Sequence, residues 1–519
     1  MASLKGIRMQ LWILGTIRAT EALAWSSIFP YAYYMIRSFG QVPEADVAFW
    51  AGALVAVFAF SEFLSGMVWA RVGDAIGRKP TLLIGVATGI ATSVWFGLSR
   101  SVAAAVAARA FGGLFNPNVG MVQTCAGELA RKEQQAKAFS LVTFIRSLGN
   151  LIGPVLGGLL ADPVAHYPGV FRSDSAWNLW EKFPYLLPNL VIALLQTLTL
   201  CVTFFCLRET HPRFASRCDV GLAAGRRVVR MLRWRSAGKD YAYIPLSGSG
   251  IDRGTRASEE PERQRPVEET GDDAQTETLD DPVKTPSAQA FTRQVILQVL
   301  SLSLLAFHKV SSDSITGTFL ALEPSPTGDH QQQGNSTTPS ATVHHRSLSL
   351  PQAVGGFGFS TQTIGAVFLS EAVVRVVVQA TLVPLLVSRL GALCAFRLVL
   401  VIYPAAYLLT PFLPGMRVRP PLRLAALLLD VWLKVALSSA GYVCSAILVT
   451  NTAPADGTLA RINGAAASFS CLARSVGPLL TGKLFAFGLR LGHLEVAFWT
   501  LGAVALLGAV ESLFLADRP

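Results

Sequence analysis

Apolar residues run in long stretches separated by short polar segments, and a stretch of about twenty is what a helix needs to cross the hydrocarbon core of a bilayer. On this pattern, helices are predicted near residues 11–36, 47–70, 81–98, 102–127, 138–161, 185–207, 294–320, 361–387, 391–411, 422–450, 462–486 and 493–515. They form two groups of six on either side of a long polar segment. The first run is longer than a cleaved leader and contains Arg18 and Glu21, so it is expected to remain as a spanning helix.

Charge orients the pattern. Lys5 and Arg8 precede the first run, and the segments richest in Lys and Arg, 71–80, 128–137 and 208–293, all alternate to the same side. Basic loops stay in the cytoplasm, so both termini are expected there, in a plasma or vacuolar membrane, with 162–184 and 321–360 outside. An N-glycosylation pattern, Asn335-Ser336-Thr337, lies in the second outside loop and agrees with this placement. The seven cysteines (Cys125, Cys201, Cys206, Cys218, Cys394, Cys444 and Cys471) fall in predicted helices or cytoplasmic loops, so no disulfide framework is expected.

The expected division is an N-terminal six-helix bundle over 1–207, a cytoplasmic, largely disordered linker over 208–293 and a C-terminal bundle over 294–519 with the outside loop 321–360. The linker is dense in Arg from Arg213 to Arg235 and acidic and rich in Pro, Thr and Gln from Glu259 to Asp281. Such a segment cannot bury enough apolar surface to fold alone, and its basic part suits contact with anionic membrane lipid.

Composition narrows the class. Hydrophobic residues make up 51% of the 519 and charged residues 15%, where a soluble domain carries about a quarter charged. The net charge of +11 sits in loops between apolar runs, which fits membrane topology rather than nucleic-acid binding. No Walker phosphate loop and no nucleophile–base constellation is visible, so neither ATP-driven pumping nor an enzyme is expected, and no cofactor is implied. His330, His344 and His345 in the outside loop lack the rigid spacing of metal ligands, and no metal site is expected.

Several short patterns exceed what topology requires. The segment RVGDAIGRKP, 71–80, brings Asp74, Gly77, Arg78 and Lys79 together between two helices. Asp74 is expected at the start of the third helix, within reach of Arg78, where the helix dipole favours a carboxylate. In the fifth helix, GNLIGPVLGG places Gly149, Gly153 and Gly157 at four-residue spacing, with Gly158 and Pro154 beside them. That spacing bares one helix face for close approach, and the proline bends the helix. Arg146-Ser147-Leu148-Gly149 is echoed by Arg474-Ser475-Val476-Gly477 and Pro478 in the eleventh helix, the same ordinal place in the second half. Such an echo supports parallel repeats with a site between the halves near the midplane.

Together with IFPYAYYMI in the first helix, FPYLLPNL entering the sixth and LARING before the eleventh, these strings resemble the major facilitator superfamily. The likeness is to its drug:proton antiporter group, which includes fungal multidrug-resistance-type and plant zinc-induced-facilitator-like proteins. It implies an all-α membrane protein of twelve spanning helices in two six-helix bundles related by a pseudo-two-fold axis. The implied activity is proton-coupled antiport of a small molecule, through export or sequestration by alternating access, by a monomer that binds no nucleic acid. Transport of a metal ion or metal chelate, or a transporter-like sensor that moves nothing, are the alternatives. The resemblance also implies a gating network of Asp74, Gly77, Arg78 and Lys79 with Glu128 and Arg131 at the end of the fourth helix. Ala70 and Ala75 depart from the family's pattern there, where a glycine and a basic residue are usual.

Ionisable residues inside predicted spans are expensive and point to function. Arg109 matches the family arginine ahead of Gly112-Gly113, Asn116 and Asn118 and is the first proton-coupling candidate, with Glu21 and Glu62 as its possible carboxylates. In the second half, Glu371–Arg375 and Asp430–Lys434 are spaced to neutralise themselves on one helix face. His308 and Asp313 match polar positions of the fungal branch. Asp313, expected to stand without a pairing partner, is the second-half proton candidate.

Overall fold

The computed structural model describes residues 4–130, 135–171, 179–211, 213–214, 219–225, 227, 292–324, 355–416, 418–452 and 459–516. Twelve helical crossings run through them. Helix α1 comprises Leu4–Ser26 and, after a break containing Pro30, Ala32–Ser38. It is followed by α2 (Val47–Ile76) and α3 (Arg78–Gly97). Helix α4 is Val102–Leu114 continued by Asn118–Leu129, α5 is Gln135–Leu160 and α6 is Leu186–Cys206. The second half begins with α7 (Arg293–Ala321) and α8 (Thr361–Ala380). The segment Leu382–Leu409 reverses at Gly391, φ 75°, so residues 382–390 finish α8 and 392–409 are α9. The chain closes with α10 (Pro420–Asn451), α11 (Leu459–Leu491) and α12 (Glu495–Ser512).

Among the described residues, nine helices are long and apolar enough to cross a membrane. The other three crossings fall short for local reasons. α1 carries Lys5, Arg8, Arg18 and Glu21, α4 is cut in two at Pro117, and α11 is diluted by Arg461, Arg474, Lys483 and several small polar residues.

The charged stretch 71–80 is not a loop of that length. α2 continues to Ile76 and α3 begins at Arg78, so the turn is the single residue Gly77, φ 105°, a backbone region open to glycine. Asp74 therefore lies in the last turn of α2 rather than at the start of α3. There the helix dipole opposes a carboxylate, and Arg78 compensates. Gly391 makes the equivalent reversal between α8 and α9.

Start and end of each half share one face. Gln10 at the start of α1 bonds the Cys206 carbonyl at the end of α6 (3.0 Å), and Gln294 at the start of α7 bonds the Phe514 carbonyl after α12 (3.2 Å). The halves meet through α2 against α11 and α5 against α8, the exchange expected of two repeats related by a pseudo-two-fold axis. Small residues make the contact possible. A side chain on Gly158 would run into Gly365, one on Gly52 into the Pro478 carbonyl, and one on Gly482 into Ala48 and Phe49. These contacts lie toward the end opposite the termini. There Tyr34 also donates to the Phe359 carbonyl, and Arg490 pairs with Asp46. That end is sealed.

Of the linker, only 208–211, 213–214, 219–225 and 227 are described, and these are held against the first half. Arg131, Asn335 and His330, His344 and His345 lie outside the described residues.

Candidate functional site

Residues of five helices converge where the two halves meet. Arg18 Nη1 of α1 pairs with Glu21 Oε2 at 2.6 Å, one turn along the same helix. Glu21 Oε1 accepts from Asn116 Nδ2 of α4 at 3.0 Å, and the same nitrogen donates to Glu62 Oε1 of α2 at 3.2 Å. The other oxygen of Glu62 lies 4.0 Å from Arg474 Nη2 of α11, across the boundary between halves. Arg146 of α5 interacts electrostatically with Arg18, Arg474, Glu21 and Glu62. The echoed Arg-Ser-x-Gly strings thus place one arginine of each half at the same cluster.

Asn116 reaches both carboxylates because α4 is broken beside it. Pro117 supplies no N–H and disfavours helix at the preceding residue, and Gly85 leaves room for the proline ring against α3. Asn116 Oδ1 accepts the Asn118 backbone N–H at 3.2 Å, which turns the amide nitrogen toward the acids.

Arg109 lies apart from this chain of pairs. Its Nε donates to the Leu54 carbonyl at 3.0 Å, and its guanidinium sits 4.4 Å from the centre of the Phe58 ring and 5.4 Å from Trp25. Its Nη2 is buried without a hydrogen-bond partner among the described residues. Arg109, Glu21, Asn116 and Asn118 line one cavity of about 60 Å³ inside the first bundle, room for a few waters.

The second half holds its own charges. Asp313 pairs with Lys309 one turn before it on α7, which corrects the expectation that it stands alone. Asp430 and Lys434 pair at 2.8 Å, with Thr410 just beyond α9 bonded to both. Glu371 and Arg375 form no pair. Arg375 Nε is buried without a partner among the described residues, and Glu371 lies instead in the field of Lys309, Asp313, Arg375 and Lys434. His308 Nδ1 lies against the Tyr407 hydroxyl at 3.0 Å.

A third cluster holds the face that carries the termini. Arg78 bonds Asp74 at 2.7 Å and Glu128 at 3.1 Å. The Glu209 carboxylate, just beyond α6, accepts the backbone N–H of Arg78 and of Lys79 at 2.9 and 3.0 Å, an acid at the positive end of α3. Lys79 Nζ pairs with Asp219 at 2.7 Å, and Thr210 donates to Glu128 at 2.6 Å. Partial burial opposes the charged form of Asp219. The Lys79 ammonium and the backbone N–H groups of Leu222 and Gly221 outweigh it and hold the carboxyl below its usual range. A depressed carboxyl stabilises the docked segment at any pH above its unfolded value, near 4, and the contribution is lost as pH falls through the lower folded value. Hydrogen exchange corrected for intrinsic rates should therefore show the Leu222 amide equally protected from neutral pH down to about 4. In Asp219→Asn the protection should be weak at every pH.

Sequence reasoning missed Glu209 and Asp219, which no spacing marks, and used Arg18 only to judge the first run. Asn116 was legible only as part of the stretch that follows Arg109, and its role between two acids was not. Among the described residues no group of His, Cys, Asp and Glu could hold a metal ion.

Two six-helix bundles packed through α2 against α11 and α5 against α8, with a charge cluster between them, have the architecture of a secondary transporter. The family described as Major Facilitator Superfamily matches residues 14–179. The Major facilitator superfamily multidrug transporter mfsB of Aspergillus fumigatus is 34% identical over 98% of this chain and 83% of its own length. Protein ZINC INDUCED FACILITATOR 1 of Arabidopsis thaliana is 37% identical over 37% of this chain and 40% of its own. The fold is shared with a bacterial homologue of the lysosomal transporter Spinster in an inward-facing, occupied conformation (TM-score 0.62, 12% identity, 99% and 97% of the two chains). It is shared as well with the human organic anion transporter MFSD10 (TM-score 0.54, 17% identity, 98% and 99%). The chain belongs to the major facilitator superfamily, in the branch with fungal multidrug and plant zinc-induced-facilitator relatives, and is an integral membrane protein.

Proposed function

We propose that this protein is a proton-coupled antiporter that exports or sequesters a small organic compound by alternating access. It acts as a monomer in the plasma or vacuolar membrane, with both termini in the cytoplasm. The observation that carries the reading is the connected set Arg18, Glu21, Asn116, Glu62 and Arg474, which ends in the ion pair between the halves. A carboxylate there changes its hold on a cation of the other half when it takes a proton, so protonation and conformation are linked. The bare face of α5 supports close, movable packing on α1. The basic segments support the orientation, and the network of Asp74, Arg78, Lys79 and Glu128 is a gate at the cytoplasmic end. Arg109 and Asp313 are further proton-coupling residues in this scheme.

The test is proton flux in proteoliposomes with a pH-sensitive dye inside, while a panel of cationic drugs and zinc chelates is added. Native protein should dissipate an imposed proton gradient on addition of a transported compound. Arg109→Ala, Glu62→Gln and Asp313→Asn should each lower that flux at least tenfold. Binding of a panel compound by native protein without movement of compound or proton would reject antiport and leave a sensor.

A further inference from the structure

We propose that Asn116 is the positioning residue that joins Glu21 and Glu62 into one proton-binding unit, so that a proton taken up anywhere in the pair loosens the contact of Glu62 with Arg474 between the two halves. The inference rests on the antiport reading for its place in the transport cycle, but its physical content is an equilibrium property of the protein.

Its basis is one nitrogen shared by two acids. Asn116 Nδ2 donates to Glu21 at 3.0 Å and to Glu62 at 3.2 Å, which holds the two bonded oxygens within about 6 Å of each other. Glu62 is 7% exposed, and Asn116 is 6% exposed. Two carboxylates that close, one buried and the other half-buried, resist simultaneous ionisation, and the first proton belongs to the pair. The outer oxygens are committed to cations of different helices, Glu21 to Arg18 and Glu62 to Arg474. The other ionisable groups facing the pair are Arg109 from α4, Arg146 from α5, and Tyr442 and Cys471 from α10 and α11 around Arg474. The cluster's arginines hold the second carboxylate ionised once one proton is bound. The amide, bonded to both, lowers the cost of that charge on whichever carboxylate carries it.

The step involves no bond to substrate. A proton from water adds to a carboxylate oxygen of Glu21 or Glu62, and the single remaining charge is distributed between the two acids, so that Glu62 carries less than a full charge on average. The attraction across the 4.0 Å contact between Glu62 and Arg474 weakens. Because α2 and α11 form a main seam between the halves, this is where a change of charge acts on both bundles at once.

The experiment is an infrared pH titration of the purified full-length protein in lipid, following the protonated-carboxyl stretch, with Glu21→Gln and Glu62→Gln as assignments. Native protein should show one step altered by either substitution. Asn116→Leu should move its midpoint up by about one pH unit, a tenfold tighter hold on the proton, and Asn116→Gln should restore much of the native midpoint. Glu21→Gln should lower the midpoint of the remaining Glu62, because the competing charge is gone, and this reading survives if Asn116→Leu does not fold. Glu62 titrating at the same pH with and without Glu21, or midpoints indifferent to Asn116→Leu, would overturn the shared unit. Proton flux measured in parallel separates the two readings. Coupled flux with independent titrations rejects the inference alone, and a shared step without coupled flux rejects antiport alone.

Discussion

Gly157→Leu should abolish the folded protein, and Gly149→Leu should come close to doing so. Both glycines lie on the face of α5 that meets α1, and a Cβ at either position would overlap main chain rather than a movable side chain. At Gly157 it would meet the carbonyl carbon of Ser27 at 2.8 Å, and at Gly149 the carbonyl carbon of Ala19 at 2.7 Å. Since backbone on a paired helix cannot turn aside, the helices must separate. Overpacking of this kind costs about 1–3 kcal/mol or more for a methylene-sized intrusion, and leucine adds several such groups. Size-exclusion profiles in detergent should lose the monodisperse peak, while Gly169→Leu, at a position with open space around it, should leave the profile unchanged. A monodisperse Gly157→Leu protein with native melting temperature would mean that α1 and α5 are not packed this closely.

Lys434→Met should be the most destabilising single change in the second half. Lys434 and Asp430 are both under a tenth exposed and pair at 2.8 Å, with the Thr410 hydroxyl bonded to each. Removing the cation leaves Asp430 buried without its counter-charge, which costs about 3–5 kcal/mol in comparable pairs, whereas replacing both partners with apolar residues of similar volume is often neutral. The double variant Asp430→Leu/Lys434→Met should therefore melt closer to native protein than Lys434→Met alone. Thermal melting in detergent with a thiol-reactive dye reports this in a background with the exposed Cys201 and Cys394 replaced by serine, since Cys444 on the same helix is fully buried when folded. Equal melting temperatures for the single and double variants would show that the pair carries little of the stability.

Arg78 illustrates a property of charge patterns that the chain alone conceals. Its partners Asp74 and Glu128 are visible in the sequence as a short motif and a helix end, because helical spacing brings i and i+4 together and topology brings loops of one side together. Glu209 and Asp219 occupy the same network, yet nothing in their local sequence marks them. They arrive by the packing of α6 and its continuation on α3, which no periodicity encodes.

The amino-acid sequence by itself determined the number of crossings, the division into halves, the bare face of α5 and the presence of buried charges, because each follows from local composition or from spacing along one helix. Only the tertiary structure decided which charges meet. Asn116 of α4 joined Glu21 of α1 to Glu62 of α2, Glu62 came to face Arg474 across the halves, and Glu209 and Asp219 reached Arg78 and Lys79, whereas the pairs Arg18–Glu21 and Lys309–Asp313 follow the spacing of one helix. The reason is physical. Spacing fixes which residues share a face, but the rotation of each helix and the break at Pro117 decide which faces oppose one another. A buried charge settles on the nearest partner that its rotamer reaches.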